Sequence, residues 1–262
     1  MDDYGVFPFG EKVKIVEQTD RSCKQVFILG VYASAVHARW VGSDGKILVS
    51  ALAVASEPEI FWRGDGAESI IEKISLPDPL GNLAPASPHL NGPSGRSLDE
   101  EYLIPLGLGR SDVWLCDVYP YAHMNDSQRT AIEREYLPQL EEYGLPRPTV
   151  LLAPTMGPGE ARREEIWDEF VQSQAEVLVL LGDKPIKWFF SHLAAKYKKL
   201  SDFGKEDDSY GLIHLVNIRN RQLGILPLIH PRQASRLGAS SAEWANVHQT
   251  WKTGVAARLI GK

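Results

Sequence analysis

Val177-Leu178-Val179-Leu180-Leu181-Gly182-Asp183-Lys184-Pro185 is five apolar residues in a row, then a glycine, then a residue able to cap a helix that carries proline in its first turn. An uninterrupted apolar run, as opposed to an alternating one, marks a strand buried on both faces. Val26–Val31, Asp112–Tyr119, Thr149–Ala153 and Leu223–Ile229 read the same way. Between the runs lie helical patterns. Asp126 or Ser127 can cap a helix reaching about Tyr143, with Pro138 kinking or ending it. Glu160–Ala175 puts Ile166, Trp167, Phe170 and Val171 on one face, and Asp183 can cap Lys184–Leu200. Ser240-Ser241-Ala242-Glu243 reads as a capping box opening a last helix with Trp244, Val247, Trp251, Val255 and Leu259 on a shared face. Strands alternating with helices predict an α/β protein, a three-layer α/β/α sandwich with a central, mostly parallel sheet.

One domain spanning residues 1–262 is expected, interrupted by a Pro/Gly-rich excursion at 76–97 that no regular element fits. Of the 262 residues 44% are hydrophobic and 24% charged, which excludes collagen-like, disordered and disulfide-framework classes. With 28 Lys+Arg against 34 Asp+Glu, a surface basic all over is excluded, whereas a local basic patch is not. Cys23 and Cys116 sit in apolar sequence without paired spacing and read as reduced, buried thiols. Met1-Asp2-Asp3 is acidic with no apolar stretch behind it, so a secretory signal is not expected. The apolar runs Val26–Val36 and Ile47–Ala55 fall short of the roughly 20 residues of a membrane span. The expectation is a cytoplasmic protein with no membrane partner; its oligomeric state is not legible.

In an open parallel sheet ligands bind beyond the carboxyl ends of the strands. Those ends carry Gly30-Val31-Tyr32-Ala33-Ser34 with His37 and Arg39 beyond, Asp117-Val118-Tyr119-Pro120-Tyr121, Gly182-Asp183-Lys184, and His230-Pro231-Arg232-Gln233-Ala234-Ser235-Arg236. In this order, and with Leu106-Gly107-Leu108-Gly109-Arg110-Ser111-Asp112 before the second strand, the segments resemble the uracil-DNA glycosylase superfamily over about Val26 to Leu237. The resemblance implies excision of a deaminated, uracil-like base by hydrolysis of an N-glycosidic bond, with no cofactor and no metal. DNA, single-stranded or damaged, would be the partner. His230 and Asp117 would be the catalytic pair, His230 stabilising the leaving base and Asp117 reading its edge. Gly30, Val31, Tyr32, Ser34, His37 and Gly182 would line the base, and Arg232, Gln233 and Arg236 would contact DNA.

The chain departs from the family pattern at four places, the first being Asp117 where the second motif often ends in Asn. Tyr32 stands where a carboxylate or amide is expected, Arg232 where the family has Ser after His-Pro, and Ala234 where a wedge Leu is expected. Breaking the bond builds positive charge on the sugar and negative charge on the base. A donor aimed at the base serves the second, but a phenol with an unperturbed pKa near 10 is a poor substitute for the carboxylate that serves the first. Asp117 and Asp44 are candidate relocated acids. Two other readings therefore stay open: a non-catalytic DNA or nucleotide binder on the same fold, and an α/β enzyme acting on a small nucleoside or nucleotide. Each residue also has a plain structural reading. His230 can be a satisfied loop histidine, Tyr32 can cover a sheet edge, and Asp117 can cap a turn. His37 and Arg39 can be the polar side of a short helix packed through Val36 and Trp40, and Gly182 can simply let the strand turn. Arg232 and Arg236, with Arg219 and Arg221 upstream, suggest a positive cluster near the site mouth. Pro154-Thr155-Met156-Gly157-Pro158-Gly159 lacks the following Gly-Lys-Ser/Thr of a phosphate loop. No Gly-x-Ser-x-Gly elbow or His-Glu-x-x-His is present.

Overall fold

The computed structural model describes residues 4–204, 209–235 and 242–260. The chain folds as two compact units that alternate along the sequence. The first is built from Met1–Val16, Tyr32–Gly95 and Pro120–Thr155, the second from Glu17–Val31, Arg96–Tyr119 and Met156–Lys262.

The second unit holds the sheet that the apolar runs predict. Strands β1 (Val26–Tyr32), β5 (Val113–Tyr119), β6 (Val177–Leu181), β7 (His214–Ile218) and β8 (Arg221–Leu228) are ordered β5-β1-β6-β8-β7. β1 pairs parallel with β6, and β6 parallel with β8. The Gln25 N–H donates to the Asp112 carbonyl at 2.9 Å, which puts the starts of β1 and β5 side by side. Consecutive residues of β1, β5, β6 and β8 are buried, so the sheet is covered on both faces. This is the mostly parallel α/β sandwich expected from sequence. The helix Glu160–Ser173 covers one face, with Phe170 edge-on to Phe27 of β1 at 5.5 Å. β7 closes the sheet as an antiparallel edge joined to β8 by Arg219 and Asn220, at φ 47° and 65°, the two positive values of a tight hairpin turn.

The first unit holds a sheet that sequence reading did not anticipate. β2 (Ala35–Val41) pairs antiparallel with β3 (Ile47–Ser56) and with β4 (Asn82–Pro85). His37 and Arg39 therefore lie on a strand, not on the polar side of a short helix. Val36, Ala38 and Trp40 pack into one apolar cluster with Leu52, Val54, Ile132 and Tyr136. The proline-rich excursion is not devoid of regular structure, since β4 lies within it with Pro85 at its last position. That placement is tolerated because an edge strand need not donate there.

Other expectations are corrected. Thr149–Ala153 is not a strand. Met124 and Leu152 form an isolated bridge, Leu151 and Leu152 stay about half exposed, and Pro148 and Pro154 remove donors at both ends. Asn125, not Asp126 or Ser127, caps the helix that follows: its Oδ1 accepts from the Gln128 N–H at 2.9 Å. That helix widens to π winding over Ile132–Tyr136, just before Pro138, whose missing N–H and bulky ring prevent continued α-helical bonding. The helix after Asp183 stops at Leu193, not Leu200. Along Ala242–Gly254 the buried face is Ala245, His248 and Trp251; Ser240 and Ser241 lie outside the described residues. Cys23 is exposed, Cys116 is buried, and both are free thiols. Among the described residues, no helix is long and apolar enough to cross a membrane.

Candidate functional site

In the second unit the carboxyl ends of β1, β5, β6 and β8 share one edge of the sheet, and His230 stands just beyond β8. The adjacent ends of β6 and β8 are tied together by the Gly182 N–H, which donates to the Leu228 carbonyl at 2.7 Å. Gly182 sits at φ 89° and ψ −176°. A Cβ there would lie 3.2 Å from His230 Cβ, so glycine answers both to the backbone angle and to the histidine packed against it.

His230 caps the short helix Pro231–Ala234. Its Nδ1 accepts from the Arg232 N–H at 3.2 Å, and its own N–H donates to Gln233 Oε1 at 3.2 Å. An Nδ1 that accepts carries no proton, so in the neutral ring the proton is on Nε2. Burial, then the charges of Arg232 and Lys184, lower the His230 pKa from 6.5 to about 4. At neutral pH the ring is therefore an uncharged donor through Nε2.

Asp117 lies in β5, 4% exposed. Burial raises its carboxyl from 3.8 to about 7, against a lowering pull from Arg162. Arg162 reaches the strand from the opposite face, where Cys116 points. It donates to the carbonyls of Asp117 at 2.8 Å and Val118 at 3.3 Å and pairs with Glu169 at 3.3 Å. The guanidinium thus fixes the backbone of β5 at Asp117 without neutralising its carboxyl. Burial pushes the neighbouring Cys116 thiol well up, which makes it an inert packing group.

Gly30 and Val31 are buried inside β1, not in a loop after it. Arg232 is exposed, while Gln233 is occupied by the His230 N–H. Arg236 lies outside the described residues. Arg219 and Arg221 are not near His230. They sit at the start of β8, whose eight residues put them about 25 Å from its far end. Arg219 is paired with Glu164 and stacked over Trp167 at 4.8 Å.

Tyr32, Ser34 and His37 belong to the first unit. The Tyr32 ring lies 5.3 Å from His123, which stacks on Tyr121 at 5.0 Å, and Tyr121 stacks on Tyr4 at 4.3 Å. The Ser34 N–H donates to Oε1 of Glu57 at 2.9 Å, and the Glu57 N–H to the Ser34 carbonyl at 3.4 Å. Glu57 is 4% exposed. Neither His123 nor Glu57 was singled out from sequence; Ser56-Glu57-Pro58 ending an apolar run, and an aromatic cluster at Tyr119–His123, were the available signals. His37 is held by Asn91, whose amide takes the His37 N–H at 2.8 Å and donates to its carbonyl at 2.9 Å. The His37 ring is buried with Nδ1 unpartnered among the described residues, and burial lowers its pKa to about 4. Asp44 lies in the turn between β2 and β3, exposed and paired with Lys46 at 2.9 Å.

Among the described residues, no three His, Cys, Asp or Glu side chains gather in a way that could hold a metal ion. No family model matches this chain, and no curated protein is significantly similar to it.

Proposed function

We propose that this protein releases a nucleobase by hydrolysing an N-glycosidic bond, with a deaminated, uracil-like base in DNA as the substrate class. The observation that carries the reading is the state of His230: uncharged at neutral pH, its Nδ1 committed to the Arg232 N–H, its Nε2–H left as a donor at the end of a parallel strand. A departing uracil-like base carries its charge on the ring nitrogen that leaves the sugar and on the exocyclic carbonyl oxygen beside it. A neutral, pre-aimed N–H in a water-poor setting stabilises that charge without first having to lose a proton.

Asp117 supports the same reading. A carboxyl poised near neutrality can accept from a base edge when ionised and donate to it when protonated. β5 and β8 are separated by β1 and β6. Three inter-strand steps place their backbones about 14 Å apart, room for a planar ring between two side chains. Arg232, exposed beside His230, suits a phosphate. Extrusion of the base from the stack would be the first step.

The test is incubation with uracil-, hypoxanthine- and xanthine-containing oligonucleotides, single- and double-stranded, scored for abasic sites. Product from one of them, lost in His230→Ala, supports the reading; no product from any substrate removes it. A second reading, a non-catalytic binder of DNA or a nucleotide, is favoured by Tyr32 standing where the resemblance calls for an acid. Retention of such oligonucleotides at low salt without turnover, weakened by Arg232→Ala, would select it.

A further inference from the structure

Behind His230 lies a group of buried polar side chains that base release does not use. Tyr102, Tyr210 and His248 are 0%, 2% and 1% exposed. Tyr102 Oη donates to the Ile229 carbonyl at 2.7 Å. The Ile229 N–H donates to Tyr210 Oη at 3.0 Å. That phenol still has its own proton to give, and His248 Nδ1 lies 2.8 Å away. His248 Nε2 in turn is 3.1 Å from the Glu101 carbonyl, which can only accept. The protons are thereby assigned all along the chain: Ile229 N–H to Tyr210, Tyr210 O–H to His248 Nδ1, His248 Nε2–H to Glu101.

Both polar groups of the residue just before His230 are thus held by phenols instead of a strand partner. The residue after it is held as well: Ser97 Oγ donates to the Pro231 carbonyl at 3.0 Å, and Ser235 Oγ lies 2.7 Å from Ser97 Oγ. A core needing only bulk here would use Phe and Leu. Burying three polar rings is costly unless every bond is made, and a fully made network fixes one geometry.

We propose that Tyr210, backed by His248 and flanked by Tyr102, is a positioning residue for His230, holding the Ile229 peptide so that the imidazole keeps its Nε2–H aimed out of the end of β8. This rests on the reading of His230 as the donor to a leaving base.

The test reads His230 directly. Histidine is labelled with 15N in the full chain, and two-bond proton–nitrogen spectra are recorded at neutral pH. The wild type is expected to show one bare and one protonated nitrogen, the proton on Nε2. Tyr210→Phe is expected to raise the Nδ1–H fraction of His230 several-fold, and Tyr102→Phe to do so less. Tyr102→Phe removes a single donor, so it keeps the test decisive if Tyr210→Phe does not fold. Ile225→Val, a buried cut in β8 that touches none of these bonds, should lower Tm and leave His230 unchanged. If Tyr102→Phe and any folded Tyr210→Phe protein lower Tm but leave the His230 nitrogens as in wild type, the three rings are packing and the proposal fails. Wild-type inactivity on every damaged oligonucleotide would count against base release and not against this spectrum. An active wild type with unchanged His230 nitrogens in the variants would count against the positioning role alone.

Discussion

Asp117→Asn should stabilise the protein, by an amount that depends on pH. The carboxyl has its pKa raised from 3.8 to about 7 by burial. That gap is about 3 pK units, and at 1.36 kcal/mol per unit, ionising Asp117 inside the fold costs about 4 kcal/mol. The side chain is 4% exposed, so water does little to reduce the figure. The folded pKa lies above the unfolded one. The protonated carboxyl therefore contributes its full stability below about pH 4, and the contribution is lost as pH rises through about 7. Asparagine keeps the shape and never ionises. The two proteins should have similar stability near pH 4.5, and the variant should gain up to about 4 kcal/mol by pH 8. Urea unfolding of both proteins at pH 4.5, 6 and 8 measures the difference. A gap that stays constant with pH, or a variant less stable at pH 8, would refute the assignment of a buried, poised carboxyl. A natural sequence retaining so costly a group is explicable where the group has work to do.

Other outcomes follow from the same geometry. His37, His230 and His248 all have pKa values lowered to about 4, mainly by burial. The unfolded chain takes up these protons first, so stability should fall as pH drops from about 6.5 to about 4, by up to roughly 3 kcal/mol for each ring; His248→Gln should make that acid limb shallower in a pH series of thermal melts. Gly182→Ala forces a side chain into φ 89° against His230 Cβ and should cost about 1–3 kcal/mol, read as a lowered urea midpoint. Arg232→Ala should leave Tm unchanged and weaken oligonucleotide binding, with the slope of log affinity against log salt reduced by about 1 in fluorescence anisotropy.

What the sequence shows plainly is what burial on both faces makes plain. β1, β6 and the stretch of β8 from Leu223 appear as unbroken apolar runs, and β5 as one broken only by Asp117, because neighbours on either side of each strand are covered. Gly182 was legible as a turn, and its packing on His230 adds a reason the sequence could not supply. β2 does alternate, with Val36, Ala38 and Trp40 on the face packed into the core and His37 and Arg39 on the other; it was not legible because Val36 and Trp40 are four residues apart, a spacing that one face of a helix shares. Leu151 and Leu152 misled in the other direction, being apolar yet half exposed. The two units alternate through three chain segments each, so no single linker marks a boundary between them.

At the candidate site, His230 and Asp117 could be named because they end apolar runs, but their protonation could not. It depends on Arg232, Lys184 and Arg162, and on burial that only the fold creates. Arg219 and Arg221 looked like neighbours of Arg232 because they are close in the chain; a strand carries them to the opposite end of the sheet. Tyr210 and His248 lie 19 residues from Ile229 and 38 residues from each other, and no local pattern joins them.

The most direct measurement is the single-turnover rate of base release from the preferred damaged oligonucleotide, wild type against His230→Gln. Loss of the pre-aimed donor predicts a rate lower by about 10²–10³-fold with oligonucleotide affinity preserved. Equal rates in the two proteins, or no abasic product from either, would contradict the account.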